Sequence, residues 1–550
     1  MISTKSRRCS LSSDAVESTK HRDVLIVGAG PSGLMMAAQL LRFGVQPKII
    51  DAKRGPDRAS KAIAVQARSL ELFRQMGLAD RLLEAGMPCY GIQVQGQRRP
   101  LGKVDFARME NPDTAFPFLH IVGQDRTEKL LLARLTEKAC PVDWETRLVS
   151  LRQDDNGVQV VLEHEGAAER WACRWLIGAD GAGSMVRECL GIRFEGRRYD
   201  GRFFLADVVI RDGHHRHVHF FVRERALLGI FPFNGQGRYR IVGELPDDLA
   251  QQRQLAYGDV KLVVDRALGF ELPVTQCLWI SGFSMHRRTA EQFSRQRCFL
   301  VGDAAHVHSP VGGQGMNTGL QDAANLAWKL AGVLQGRMAT KVLHSYQLER
   351  MPVAREVSET TDRALRLLTG VPRWLRPLRE VLLAKGLGFL AAKTGRLRKV
   401  FGRMAQLDVH YRRSALTVHH ATDSGVRAGD RLPFIAVFDE KTKTHTDLHR
   451  WCEKPGFILL VLGTISHHQL NVIGQWVRQR YPRQMHLYYL PFSANNQRVF
   501  DIFAVKPTGT KTVLIRPDMY IAYINDMLNM GLIDTYMEGV LGWQGGPMDG

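Results

Sequence analysis

Three groups of residues in this 550-residue chain have types and spacing suited to chemistry. The first is Gly28-Ala29-Gly30-Pro31-Ser32-Gly33, a G-x-G-x-x-G loop, with Asp51 eighteen residues beyond Gly33. The first glycine of such a loop permits a tight turn. The second lets backbone approach a pyrophosphate, and the third lets a helix pack close to a strand. A helix N-terminus favours phosphate charge, and Asp51 is placed to accept from a ribose hydroxyl. The motif alone fits NAD and FAD equally. The second group is Gly178-Ala179-Asp180-Gly181-Ala182-Gly183-Ser184, with Val186 and Arg187. In isolation it reads as readily as a merely structural element, a hairpin or a helix start capped by Ser184, as it does a binding motif. The third is Gly302-Asp303-Ala304-Ala305-His306, continuing through Ser309, Pro310, Gly312, Gly313, Gln314, Gly315, Met316 and Asn317. A carboxylate delivered by a strand accepts hydrogen bonds from a polyol. A glycine-rich loop that opens a helix offers free N–H groups, which stabilise negative charge on a reduced ring.

These groups need strands and helices at fixed places, and the pattern supplies them. DVLIVGAG, from Asp23, reads as a buried parallel strand. PSGLMMAAQLLRFG follows as a helix stopped by Gly44, and VQPKIIDAK reads as the next strand, so the first motif has its full β-α-β context. Residues 66–85 read as helical with a break at Gly77, and 124–140 as a helix after a strand near Leu119–Val122. Residues 146–178 read as hairpins turning at Asp154-Asp155-Asn156-Gly157, and 202–284 as recurring strands of a sheet layer separate from the nucleotide-binding fold. CFLVG (298–302) is one more buried strand, and 316–336 a long helix. Residues 363–407 read as basic helices interrupted by Pro372 and Pro377. After Gly429 a compact α/β unit is expected from FILLVLG (457–463), a helix at 465–481, MHLYYLPF (485–492) and KTVLIRPDMYIAYI (511–524).

Hydrophobic residues at 45% and charged residues at 24% exclude a mainly disordered, collagenous or coiled-coil chain. The net charge of +20 is regional. Thirteen basic residues and two acids, Glu380 and Asp408, lie between Arg363 and Arg413. No aromatic-interleaved reader module accompanies them, which argues against nucleic acid. Eight scattered cysteines without C-x-x-C suit a reducing, cytoplasmic setting. No run has the length of a membrane span.

GAGPSG with Asp51, GADGAGS and GDAAHVHSPVGGQGMN stand in the order and spacing of the aromatic-ring hydroxylase family. The chain resembles that family, which includes para-hydroxybenzoate and phenol hydroxylases, from about residue 22 to 360, LHSYQLERMP (343–352) included. AGDRLP (428–433) and IRPDMYIAY (515–523) resemble the C-terminal appendage of the phenol-hydroxylase branch. The resemblance implies an α/β chain: a three-layer, Rossmann-like FAD-binding domain, an interleaved β-sheet substrate domain, a helical linker and a thioredoxin-like domain. Its divisions are a disordered tail (1–21), an FAD-binding first part (22–190) with a substrate-domain insertion near 88–120, and a substrate sheet (191–284). An FAD-binding second part (285–362), a basic linker (363–413) and the thioredoxin-like unit (414–550) follow.

The same resemblance implies roles for single residues. Gly28, Ala29, Gly30, Pro31, Ser32 and Gly33 cradle the FAD pyrophosphate, and Asp51 holds the adenosine ribose. Lys61 stands where many members carry arginine and keeps the charge without the planar fork. Gln124 contacts flavin, and Asp180 belongs to a motif linked to both FAD and NAD(P)H, in which Gly183 replaces a frequent arginine. Gly302 and Asp303 serve the ribityl chain, Pro310 lies beside the ring, and Gly315, Met316 and Asn317 face its pyrimidine edge. The implied reaction is that of a single-component monooxygenase. NAD(P)H, bound transiently, reduces FAD, and O2 then forms a flavin hydroperoxide that hydroxylates a small, phenol-like aromatic substrate. A non-oxygenating flavin oxidoreductase, and a flavoprotein that shelters a reactive intermediate, are the alternatives. No substrate-activating base is assigned; Tyr199, Asp200 and 202–242 form its neighbourhood.

Other features carry blander readings. His214, His215, His217 and His219 read as a polar strand end rather than a metal site, since no carboxylate or cysteine completes a set. His306 reads as loop packing rather than as an acid or base. The 363–413 stretch reads as a solvated interdomain helix pair in preference to a peripheral contact with anionic membrane. A homodimer is compatible with the sequence.

Overall fold

The computed structural model describes residues 19–544 apart from 58–59, 97–98, 111–112, 212–216, 223–226, 234–236, 247, 250–251, 253, 310–311, 370–375 and 423–424. Most of the expected tail, and His214 and His215, therefore lie outside the described residues. The first strand, Lys20–Val27, starts before Asp23. Lys20 pairs in register with Trp171, and its ammonium meets Glu169 at 2.9 Å, which extends the sheet beyond its apolar run.

An eight-stranded sheet is built around Lys20–Val27, with Lys48–Ile50 and Val142–Asp143 on one side and Ala167–Gly178 and Cys298–Leu300 on the other, all parallel. Val24, Leu25 and Ile26 are buried, as a strand covered on both faces requires. The helices Pro31–Arg42 and Gly315–Leu334 pack on each other and on this sheet. The antiparallel arm Thr146–Gln153 and Val158–His164 turns where Asp154 Oδ1 accepts from Asn156 N and Gly157 N at 2.8 and 3.0 Å.

A second eight-stranded sheet contains Phe194–Ile210, Val274–Ala290, Arg238–Leu245, Leu227–Pro232 and Val218–Val222, closed at one edge by Gly91–Gln95 and Pro100–Asp105. It is tied to the nucleotide-binding fold, because Val274–Ala290 pairs with His306–Val307 of the third motif. The helix Tyr257–Leu268 covers one face, burying Val260 and Val264 against Phe204, Ala206 and Val208. It lies inside a stretch expected to be all strand. Its apolar residues recur at 260, 264, 267 and 268, a helical period within a strand-rich neighbourhood.

The long helix His344–Thr369 is followed by Arg376–Ala391 and Thr394–Met404. Pro377 opens the second of these rather than interrupting one, as suits a residue lacking a donor. The C-terminal sheet runs Val418–His419, Ile521–Asn525, Thr510–Ile515, Phe457–Gly463, Met485–Leu490. The stretch 511–524 is a hairpin that turns at Arg516–Tyr520.

Candidate functional site

The three sequence motifs meet. Gly28 has φ +105°, and a Cβ there would lie 2.3 Å from Ala179 O, so the first motif abuts the second. A Cβ on Gly302 would lie 2.2 Å from Ser32 Oγ, so the third abuts the first. Arg187 joins the second to the third, donating to Ala304 O at 2.9 Å and Ala182 O at 2.8 Å while its guanidinium lies over the Phe194 ring.

Around this junction the glycines of the first loop divide by role. A Cβ on Gly33 would come within 2.0 Å of Gly28 O, whereas one on Gly30 would meet nothing within 4 Å. Gly30 therefore borders open space at the start of Pro31–Arg42, a helix whose first turn has no side-chain cap and no acid. An uncapped helix start of this kind has the free N–H groups that can take a phosphate. Asp51 is buried and accepts from Ala29 N at 2.7 Å and Lys53 N at 2.8 Å, which fixes its carboxylate at the rim. Two carboxylate oxygens offer about four acceptor sites, so capacity for a ribose remains.

Asp303 lies in the short 3-10 turn Gly302–Ala304. Its side chain is solvent-accessible yet set deep among protein atoms, and that desolvation raises its carboxyl against the opposing pull of His306 and Lys61. Lys61 is exposed beside it. Asn317 is fully buried: its side chain accepts from Gln66 N at 2.9 Å and donates to Ala64 O and Gly313 O. The Asn317 side chain is thus spent on protein groups, while Met316 is only partly buried at the start of the helix. Pro310 lies outside the described residues. Gln124 is held locally, its Oε1 accepting from Ala62 N and its Nε2 donating to buried Glu128, whose carboxyl is raised by burial. Asp180 accepts from Ser184 Oγ at 2.5 Å and Val186 N at 3.1 Å, and Ser184 caps the helix Met185–Cys189. In this structure Asp180 shapes its own loop.

The third motif is braced from behind. His306 Nε2 lies 2.7 Å from Asp322 Oδ2, and Gly302 N donates to the same oxygen. Burial alone would raise the Asp322 carboxyl, but Arg350 and His306 outweigh it and hold it below its usual range. Arg350 donates to Asp322 at 2.7 Å and to the Tyr411 hydroxyl at 3.0 Å. His308 stacks parallel to His306, with its Nε2 buried and unpartnered. Burial, then His306, push its pKa down to about 4, so it is neutral at pH 7.

The face of the second sheet not covered by helix turns toward this site. Arg240, wholly buried, forms a two-bond pair with Asp207 at 2.6 and 2.7 Å and donates to Lys61 O at 3.0 Å. Phe220 and Phe231 pack edge to face beside Ile63 and Ala64. Sequence reading passed over Arg240 and Asp207. A lone acid inside RFFLADVVI was the available signal, because a charge among strand apolars needs a partner. Tyr199 is no base at neutral pH: burial and then Asp362 push it up to about 12. The side chain of Asp200 lies outside the described residues. Among those described, no group of three metal-ligating side chains converges.

Comparison with known proteins agrees in family. The FAD binding domain family matches residues 21–361. The chain is 36% identical over 439 residues to 6-methylpretetramide 4-monooxygenase of Streptomyces rimosus, covering 77% of this chain and 76% of that protein. It is 32% identical over 421 residues to pentachlorophenol 4-monooxygenase of Sphingobium chlorophenolicum, covering 74% and 75%. The OxyS anhydrotetracycline hydroxylase from Streptomyces rimosus superposes with a TM-score of 0.75 at 28% identity, over 95% of this chain and 99% of that one.

Proposed function

This chain belongs to the FAD-dependent aromatic hydroxylase family and is a flavoprotein monooxygenase, and from that premise we propose that it uses NAD(P)H and O2 to hydroxylate a phenol-like aromatic ring. The observation that supports the reading is that the three motifs abut one another, with open space at Gly30 and a solvent-accessible Asp303. FAD, when bound, supplies the hydride acceptance and oxygen activation that side chains lack.

The chain's own residues do the rest. The Gly28–Gly33 loop and the following helix terminus hold the pyrophosphate, Asp51 the ribose and Asp303 the ribityl hydroxyls. The N-terminus of Gly315–Leu334, with no acid in its first turn, favours negative charge at the pyrimidine edge. Phe220 and Phe231 offer an apolar wall to an aromatic substrate and exclude water. Arg240, neutralised by Asp207, locks that wall to the Lys61 segment without presenting a free charge. A hydroxylase named for anhydrotetracycline shares this fold, which supports a multi-ring phenol as readily as a single ring.

The test is anaerobic reduction of the yellow protein by NADPH and by NADH, with and without a panel of phenols of one to four rings, followed at the flavin absorbance. A phenol that accelerates reduction, and then takes up one atom from labelled O2, supports the proposal. Reduction without oxygen in the product would make the chain a non-oxygenating oxidoreductase. Failure of both nucleotides to reduce bound FAD would favour a sheltering flavoprotein.

A further inference from the structure

The helix Arg376–Ala391 buries none of its described side chains fully. Leu382 and Phe389 are 58% and 59% exposed, with Val381 exposed beside them. Leu382 and Phe389 are seven residues apart and share one face, near exposed Lys385. A helix that was merely solvated would turn these residues inward. Inward contact comes instead from Leu387, which rests on Gly102 so closely that a Cβ there would lie 2.8 Å away. Gly102 belongs to Pro100–Asp105, the edge strand of the second sheet.

The next helix, Thr394–Met404, is anchored by buried Leu397 and Phe401, the latter 5.1 Å from the Phe106 ring. Arg396 lies 3.4 Å over the Phe389 ring and ties the two helices together. Between Arg376 and Met404 the sequence has eight basic residues and a single acid, Glu380. Arg398 and Arg403 reach Asp113 and Asp408. Lys385, Lys393 and Lys399 are exposed and have no acidic partner among the described residues.

We propose that this helix pair is a docking surface for an anionic lipid bilayer. An outward apolar row flanked by unpaired lysines matches a headgroup layer that is negative outside and apolar beneath. A second copy of the chain would bring the same positive charge to the contact and be repelled. The apolar residues stand on a convex helix rather than lining a groove, which suits a deformable surface better than a rigid one. Docking there would bring the edge of the sheet that carries Phe220 and Phe231 to a surface where apolar aromatic compounds partition. Lipid binding does not depend on the proposed reaction, and it is measured without turnover.

The experiment is co-sedimentation of the flavin-loaded full chain with phosphatidylglycerol/phosphatidylcholine vesicles and with phosphatidylcholine alone. Binding is expected to the anionic vesicles only, falling at least about tenfold when salt shortens the screening length from about 10 Å to about 3 Å. Leu382→Asp with Phe389→Asp should cut low-salt binding about tenfold, and so should Lys385→Glu with Lys393→Glu and Lys399→Glu. Leu382→Ser alone, checked for retained flavin, keeps the test valid if the double variant misfolds. Absence of low-salt binding overturns the proposal, as does binding that neither set of variants alters. A dimer by light scattering that Leu382→Ser dissociates would also overturn it, making this face a contact between copies.

Discussion

At the scale of single residues, Gly30 and Gly33 look alike in sequence and differ in physics. Gly33→Ala forces a Cβ toward a backbone oxygen, so it should destabilise the apo chain by about 1–3 kcal/mol. Gly30→Val has room in the apo chain and should leave its melting temperature unchanged. It should weaken FAD about 100-fold, near 2.7 kcal/mol, because the branched side chain enters the space proposed for the pyrophosphate. FAD titration and thermal melts of both variants separate the two effects. His308 gives a pH dependence. Its folded pKa of about 4 lies below the ordinary histidine value, so the unfolded chain binds the proton first. Stability is full above about pH 6.5 and falls as pH drops toward 4, by about 3 kcal/mol from this group. Urea midpoints of the apo protein between pH 7 and 4 should show that fall, and His308→Gln should flatten it. A residual slope is expected from His449, which burial likewise pushes down to about 4.

At the scale of elements, the buried Arg240–Asp207 pair joins two strands of one sheet and, through Lys61 O, the sheet to the flavin-side segment. Asp207→Ala leaves a buried guanidinium without its counter-charge and should cost about 3–5 kcal/mol in denaturant unfolding. Asp207→Leu combined with Arg240→Met should recover most of that loss. It should not recover substrate-stimulated flavin reduction, because the bond to Lys61 stays broken. Recovery of both in stopped-flow traces would mean the pair only fills space. The helix Gly315–Leu334 is an element of the same kind. Its Thr318, Asp322, Asn325 and Lys329 are buried and polar, spaced three or four apart, and all face partners from other segments.

Across the whole molecule, the C-terminal unit is wired into the flavin side. Arg516 pairs with Glu349 at 2.7 and 2.9 Å and with Asp518 at 2.6 Å, and Glu349 also takes Lys329 and Asn325 from the helix Gly315–Leu334. Arg68 donates to Asp518 O, and Arg431 meets Glu71. These groups are nearly all within 5% exposure. Arg516→Met should therefore cost about 3–5 kcal/mol and lower flavin retention, although the residue belongs to the hairpin turn of another unit. Tyr411→Phe, which deletes one acceptor for Arg350, should cost about 1 kcal/mol. Flavin fluorescence released on heating reads both. A chain ending after Leu407 should not retain FAD, because Arg68, Glu71 and Glu349 would lose the partners Asp518, Arg431 and Arg516 that the C-terminal unit supplies.

Much of this was legible before any coordinates. The glycine loops and the long helix after the third motif are local patterns, and the family and its FAD could be read from the resemblance that their order and spacing carry. The helix Tyr257–Leu268, the opening role of Pro377 and the Arg240–Asp207 pair were not legible in the same way. Charged residues such as Arg516 or Glu349 look like ordinary surface residues in a sequence, and burial turns them into a brace only once distant segments meet. The sequence by itself determined the strand–glycine–helix turns of a dinucleotide-binding fold, because such turns are set by neighbours along the chain. Only the tertiary structure decided which charges are neutralised, which glycine faces empty space and which apolar helix face is left outward, because each depends on contacts between residues hundreds of positions apart.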